Sequence, residues 1–342
     1  VKVDREQFLT ELTSVKPGLS NREFLEQSSC FCFQNGELLT FNDQVCCRRR
    51  TCFPLTGAVR ATLLTEVLQK IPDPYLEVEE KKGEFFFSSK RRSFALAREQ
   101  EIILPIDHVP LPRSWAPLNP KLMEALPLVG RCISQSPLQY CLTCIHLHPK
   151  YVESCDNYQA MRFCLNTGLD RSILVEGKSL LSVTQIDPKE IALSKTWIHF
   201  RNAAGLVFSA RCHMEEYPNL FRHLKVSGKP VQIPRTLSKA GERAALFVED
   251  KVENPLLHIE LKQGRISIKG EGTSGWFREA RGVHYEGPPL SFLIQPSLFA
   301  HITTNYTEAY VDYHKIIVDG GLWRYVSALV TPSTTTDISE KE

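Results

Sequence analysis

IPRTLSKAGERAALFV, residues 233–248, sets Arg235, Lys239 and Arg243 four residues apart, with Leu237, Ala240, Ala244 and Phe247 on other positions of the same turns. The spacing predicts an amphipathic helix with an apolar side and a basic stripe, and Pro234 suits its first turn. On one helix such a stripe is a solvated face. Its meaning depends on whether the pattern recurs.

It does recur. VDREQFLTELTSV from Val3 and NPKLMEALPLVGRCI from Asn119 are also helix candidates, the second with Asn119 as an N-cap ahead of a first-turn proline. After each opening helix come alternating runs joined by a polar turn: SCFCFQNGELLTF around Asn35-Gly36, YCLTCIHLHPKYVESC, and LLHIELKQGRISIKG around Gln263-Gly264. A further helix candidate follows in each segment: LTGAVRATLLTEVLQKI, EGKSLLSVTQI and QPSLFAHITTN. Each then leads into two expected strands, with Lys82-Gly83, Ala204-Gly205 and Gly320-Gly321 at the turns. The chain therefore reads as an α+β protein made of three copies of one unit, two helices and a strand-rich body apiece. Proline-rich joints at LPIDHVPLPRSWAPLNP and YPNLFRHLKVSGKP place the domains at 1–111, 112–227 and 228–330, with a polar tail at 331–342.

Composition agrees with a multidomain globular chain: 342 residues, 42% hydrophobic and 23% charged. No apolar run approaches a bilayer span and VKVDREQF has no apolar signal core, so a cytoplasmic protein without a membrane partner is expected. Lys and Arg number 41 against 39 acidic residues, so net charge names no partner and only its arrangement can. Eleven cysteines, scattered through apolar alternation, suit free buried thiols better than a disulfide framework.

Three constellations suggest chemistry. GEGTSG (Gly270, Gly272, Gly275) has the spacing of a dinucleotide loop, but WFREARGVHYEG after it is no amphipathic helix, so a glycine-rich turn between strands is expected. CLTC (Cys141, Cys144) lacks a second pair, and as strand residues the two would face opposite sides. His146 and His148 share a strand face without a third ligand. No Walker loop, nucleophile elbow or H-E-x-x-H is present, and no catalytic residue, metal or cofactor is expected.

The basic positions recur on the helix candidates: Lys121 and Arg131 on the second opening helix, Arg235, Lys239 and Arg243 on the third, and Arg60, Lys70 and Lys178 on the second-helix set. If equivalent helices face a common axis, these cations form a lining that holds phosphates without reading bases.

With these features the chain resembles the bacterial sliding clamp family, the beta subunit of the replicative polymerase. The resemblance rests on the joint YPNLFRHL (217–224), the helix AGERAALF (240–247), the segment CDNYQAM (155–161) in place of the family's T-D-G-H-R-L, and YVSALV (325–330) near the C-terminus. It implies a DNA clamp fold, in which two three-domain subunits join head to tail into a six-domain ring around duplex DNA. It also implies that DNA polymerase and clamp loader dock through short peptide motifs.

By position, the resemblance makes Arg22 a DNA-contacting residue. It puts Leu246 and Phe247 in the dimer interface, facing Phe94 and Leu96. It assigns the partner cleft to Cys155, Asn157, Tyr158, Gln159, Ala160, Pro218, His223, Val326 and Ala328. Tyr158 and Gln159 replace the family's His-Arg, Ala160 a leucine and Ala328 a methionine, drift that suits a phage or mobile-element clamp. Two rival readings stay open: a nucleotide-dependent enzyme using the Gly270–Gly275 loop, and a scaffold that has lost DNA binding.

Overall fold

Asn35 and Gly36 both take positive φ, 53° and 73°, the conformation a two-residue hairpin turn needs to match the twist of its flanking strands. In the computed structural model, which describes residues 1–248 and 255–332, that turn belongs to the first of three like segments. The first runs β1 (Lys2–Asp4), α1 (Arg5–Ser14), β2 (Cys30–Gln34), β3 (Glu37–Phe41), β4 (Val45–Arg50), β5 (Gly57–Arg60), α2 (Ala61–Lys70), β6 (Tyr75–Lys81), β7 (Glu84–Ser88) and β8 (Ser93–Ala97). The second runs β9 (Ala116–Pro117), α3 (Lys121–Val129), β10 (Cys144–His148), β11 (Tyr151–Cys155), β12 (Gln159–Cys164), β13 (Ile173–Glu176), α4 (Gly177–Leu181), β14 (Pro188–Leu193), β15 (Trp197–Asn202) and β16 (Val207–His213). The third runs β17 (Lys229–Gln232), α5 (Thr236–Ala245), β18 (Leu257–Lys262), β19 (Arg265–Gly272), β20 (Gly275–Gly282), β21 (Leu290–Ile294), α6 (Pro296–Asn305), β22 (Glu308–Val311), β23 (Lys315–Asp319) and β24 (Trp323–Ala328). Strand, helix, four strands, helix, three strands: among the described residues this order is traversed three times.

Four local expectations need correction. The stretch Gly57–Arg60 is strand β5, and the second helix begins only at Ala61. Three strands, not two, follow each second helix. EGKSLLSVTQI is a short helix, α4, that tightens into a 3-10 turn over Ser182–Ile186. Cys141 sits in a 3-10 turn, not a strand. The 331–342 tail lies, from residue 333 onward, outside the described residues.

A side-chain cap sets the start of α1, where the Asp4 carboxylate accepts from the Gln7 amide at 2.9 Å, satisfying an amide that a first turn leaves without a partner. The N-cap of α3 is Pro120 and not the expected Asn119, whose side chain, one residue earlier, accepts from the Lys121 amide at 3.1 Å.

The chain divides into two compact units, residues 1–152 with 165–217, and residues 153–164 with 218–342. In the first, β1-β6-β7-β8 form one sheet, while β10-β13-β16-β4-β3-β2-β5 follow one another in a larger one. There β16 pairs antiparallel with β4, so strands of the first and second segments share a sheet. Cys30, Cys32 and Cys46 pack with Leu39, Phe41 and Trp197, and burial pushes the Cys30 and Cys46 thiols up to about 11. They are small neutral hydrophobes here.

In the second unit, β20-β19-β18-β21 form one sheet and β17-β22-β23-β24-β12 follow one another in another. Helix α5 buries Leu237, Ala240, Gly241, Ala244 and Ala245. It lies so close to β19 that a Cβ on Gly270 would stand 1.9 Å from the Ala244 carbonyl oxygen, and one on Gly272 would stand 2.1 Å from that of Phe247. Those glycines let a helix end rest on a strand. They belong to the β19–β20 hairpin, with Gly272 paired to Gly275 across the turn and no helix following. The dinucleotide reading of GEGTSG is overturned, because a phosphate site of that type needs a helix N-terminus there.

Candidate DNA-facing helices and partner cleft

The basic positions are exposed. Lys70 ends α2, Lys121 opens α3, Arg131 lies in the 3-10 turn after α3, and Lys178 is on α4. Arg22 is exposed in the loop after α1. Arg60, just before α2, is ion-paired to Glu23 at 2.8 Å and donates to the Ser29 hydroxyl at 2.9 Å. In the second unit Arg235 directly precedes α5, and Lys239 and Arg243 project from its solvent side.

These last three are not equivalent. The Arg243 guanidinium grips Glu279 of β20 through Nε–Oε2 at 2.9 Å and Nη2–Oε1 at 2.9 Å. Arg281 reaches the same carboxylate. The hydrogen bond from Arg243 holds Glu279 below the usual carboxylate range. Arg235 and Lys239 make no ion pair among the described residues, so theirs is the positive charge at this helix without a carboxylate partner; Glu242 of α5 is exposed and likewise makes no ion pair among the described residues.

Leu246 is 70% exposed. Phe247 beside it is half-buried and stacks on Phe277, ring centroids 6.0 Å apart. In the first unit Phe94 is half-buried and stacked on Phe87 at 4.5 Å, while Leu96 is buried. Among the described residues β8 and β20 each end a sheet order, leaving a row of unpaired backbone groups on each edge.

The cleft positions all fall in the second unit. Strand β12 pairs antiparallel with β24, setting Ala160 opposite Val326 and Gln159 opposite Ser327. Asp156 accepts from the amides of Tyr158 and Gln159 at 2.7 and 2.8 Å, a tight side-chain-capped turn. The turn leaves Asn157 and Tyr158 exposed, and the Tyr158 carbonyl accepts from the Ala328 amide at 2.7 Å. Cys155 is buried, and the Gln159 amide is engaged with the Tyr325 hydroxyl and Asp156.

The remaining candidate positions, Pro218 and His223, lie in the 218–225 segment. Leu220 and Leu224 anchor it inward, while Pro218, Phe221, Arg222, His223 and Lys225 are exposed. Lys315 of β23 fixes its end: Nζ donates to the carbonyls of His223 at 2.9 Å and Lys225 at 2.6 Å. Burial pulls the Lys315 ammonium below the usual lysine range. Nearby, the Asp312 carboxyl is held low despite partial burial, because the Ser227 hydroxyl and the His314 and Lys315 amides donate to it.

Among the described residues no group of three or more His, Cys, Asp or Glu stands ready to hold a metal. His146 and His148 do share β10, their rings 6.2 Å apart, with His148 stacked on Tyr151.

No family model matches the chain, and no curated protein matches it by sequence. Solved structures match it closely in shape. The DNA polymerase III subunit beta of Pseudomonas aeruginosa superposes with a TM-score of 0.81 at 16% identity, covering 97% of this chain and 99% of that one. The DnaN sliding clamp of Bartonella birtlesii, bound to griselimycin, gives 0.84 at 17% identity, with the same coverage. The beta chain of Streptococcus pneumoniae gives 0.83 at 16%, again with that coverage. The chain has the bacterial sliding-clamp fold.

On this sliding-clamp fold, Phe221, Arg222 and Lys225 are exposed beside the candidate positions Pro218 and His223 and were not singled out from the sequence, nor was Lys315, which holds the His223 and Lys225 carbonyls. The alternation of exposed aromatic and basic residues in NLFRHLK was the available signal. The dependence of that segment on a lysine 90 residues further along the chain had none.

Proposed function

We propose that the protein is a DNA sliding clamp: a non-catalytic, cytoplasmic processivity factor whose two subunits close head to tail around duplex DNA. The domains would be 1–111, 112–227 and 228–330. The observation that carries this reading is the extent of the likeness, 97% of this chain against 99% of a known clamp, over a helix and strand order repeated three times. A repeat of that kind supplies equivalent helices whose exposed cations, Lys70, Lys121, Lys178, Arg235 and Lys239 among them, can line a hole. Phosphate attraction without base contacts leaves a ring free to slide.

Ring closure is assigned to the unpaired edges of β20 and β8, with Leu246 and Phe247 meeting the β8 side of a second copy. The cleft of Tyr158, Ala160, Pro218, His223, Val326 and Ala328 is assigned to short peptides of the polymerase and the loader, in which apolar anchors enter a groove. Negative-stain images at micromolar concentration test the proposal: closed rings with a hole wide enough for a duplex are expected, and compact single subunits would defeat it.

A further inference from the structure

Two residues along β12 and β24 from the buried pair Ala160 and Val326, Arg162 stands opposite Arg324. There a concavity of about 200 Å³ opens, lined by Arg162, Arg324, Lys225, Phe221, Leu322 and Trp323. Its apolar wall is costly to leave in water, since Phe221 is 69% exposed. Its charge is unbalanced as well. Arg162 is held by the buried Glu153 at 2.7 Å and Arg324 by Asp319 at 3.2 Å. Lys225 makes no ion pair among the described residues. The pocket thus combines room for one side chain with uncompensated positive charge at its rim.

We propose that this pocket receives an acidic side chain flanking the apolar anchors of a partner peptide, so that partners of this clamp carry Asp or Glu beside the anchor residues. The inference rests on the peptide-cleft reading above and makes it more specific. A neutral apolar segment laid here would desolvate Lys225 with nothing to pair it, which is unfavourable. A carboxylate on Lys225, with Arg324 beside it in the lining, gives a charge-assisted hydrogen bond instead, while the rest of the segment covers Phe221 and Leu322.

Three fluorescein-labelled peptides test this by anisotropy on the full chain. All share a central Leu-Ala-Leu-Phe core; one has two glutamates before it, one has two after it, and one has serines at both ends. One glutamate form is expected to bind about tenfold more tightly than the serine form at ~0.1 M salt, with the advantage shrinking as salt rises. Lys225→Gln, which removes no side-chain hydrogen bond or ion pair among the described residues, should remove most of that advantage, and Lys225→Gln with Arg324→Gln should remove the rest. Equal affinity for all three peptides, or an advantage that survives both variants, overturns the inference and leaves the cleft reading standing. Failure of every peptide to bind overturns the cleft reading, and the inference with it. An advantage seen only in a chain ended after Pro332 would name residues 333–342, with Asp337, Glu340 and Glu342, as the occupant and overturn the assignment to a partner.

Discussion

Leu246→Ala is the sharpest probe of ring closure, because Leu246 is 70% exposed in the subunit and its removal leaves the fold's own packing intact. Fully burying a leucine is worth about 1.5–3 kcal/mol, so covering what remains exposed at an interface would contribute roughly 1–2 kcal/mol. A head-to-tail pair has two such interfaces, doubling the effect to about 2–4 kcal/mol, or roughly a 30- to 1,000-fold rise in the dimer dissociation constant. Phe247 would be a poorer choice, since its stacking on Phe277 makes it part of the subunit's own structure. Sedimentation velocity over a dilution series reads the dissociation constant, and thermal melting checks that the subunit's stability is unchanged. A wild-type protein that sediments as a monomer at micromolar concentration, or a variant that dissociates at the same dilution as wild type, would refute the assignment.

Other outcomes follow from the same structure. Arg235→Gln and Lys239→Gln should each flatten the log–log salt dependence of DNA binding by roughly 0.9, whereas Arg243→Gln, whose partner is Glu279, should leave the slope nearly unchanged; equal slopes for all three would refute the distinction, and no DNA binding by the wild type would favour a scaffold without DNA. His199 is buried beside Ser209 and Ser194, and burial lowers its pKa to about 4. Below pH about 6.5 the unfolded chain takes up a proton that the folded chain refuses, so stability is full above that pH and falls by about 2–3 kcal/mol on reaching pH 4.5. Urea unfolding of wild type and His199→Asn at both pH values measures that difference, and identical pH dependence would contradict it. Lys315→Met should cost about 1–2 kcal/mol and weaken binding of a peptide to the proposed cleft without altering any of its residues; unchanged affinity would show that the 218–225 segment holds its shape unaided.

The repeat was legible because each copy pairs a 3.6-residue period with a following two-residue alternation, and turn pairs such as Asn35-Gly36 punctuate it. Strand β5 was not, since Gly57–Arg60 runs without a break into α2 and its apolar residues fit either period. The pairing of β12 with β24 joins Gln159 to Ser327, and no local pattern encodes a contact of that range. The candidate cleft residues, Pro218 and His223 among them, were named only by resemblance, and the hold of Lys315 on the 218–225 segment emerges only once the chain is folded. Charge spacing on α5 was visible in the sequence, yet it could not separate Arg243, matched by Glu279, from Arg235 and Lys239.

Retention on DNA tests the central claim most directly. After loading onto nicked circular DNA, the protein should stay bound through gel filtration, and cutting the circle to a linear form should release it. Equal loss from circular and linear DNA would contradict a topological link and, with it, the clamp.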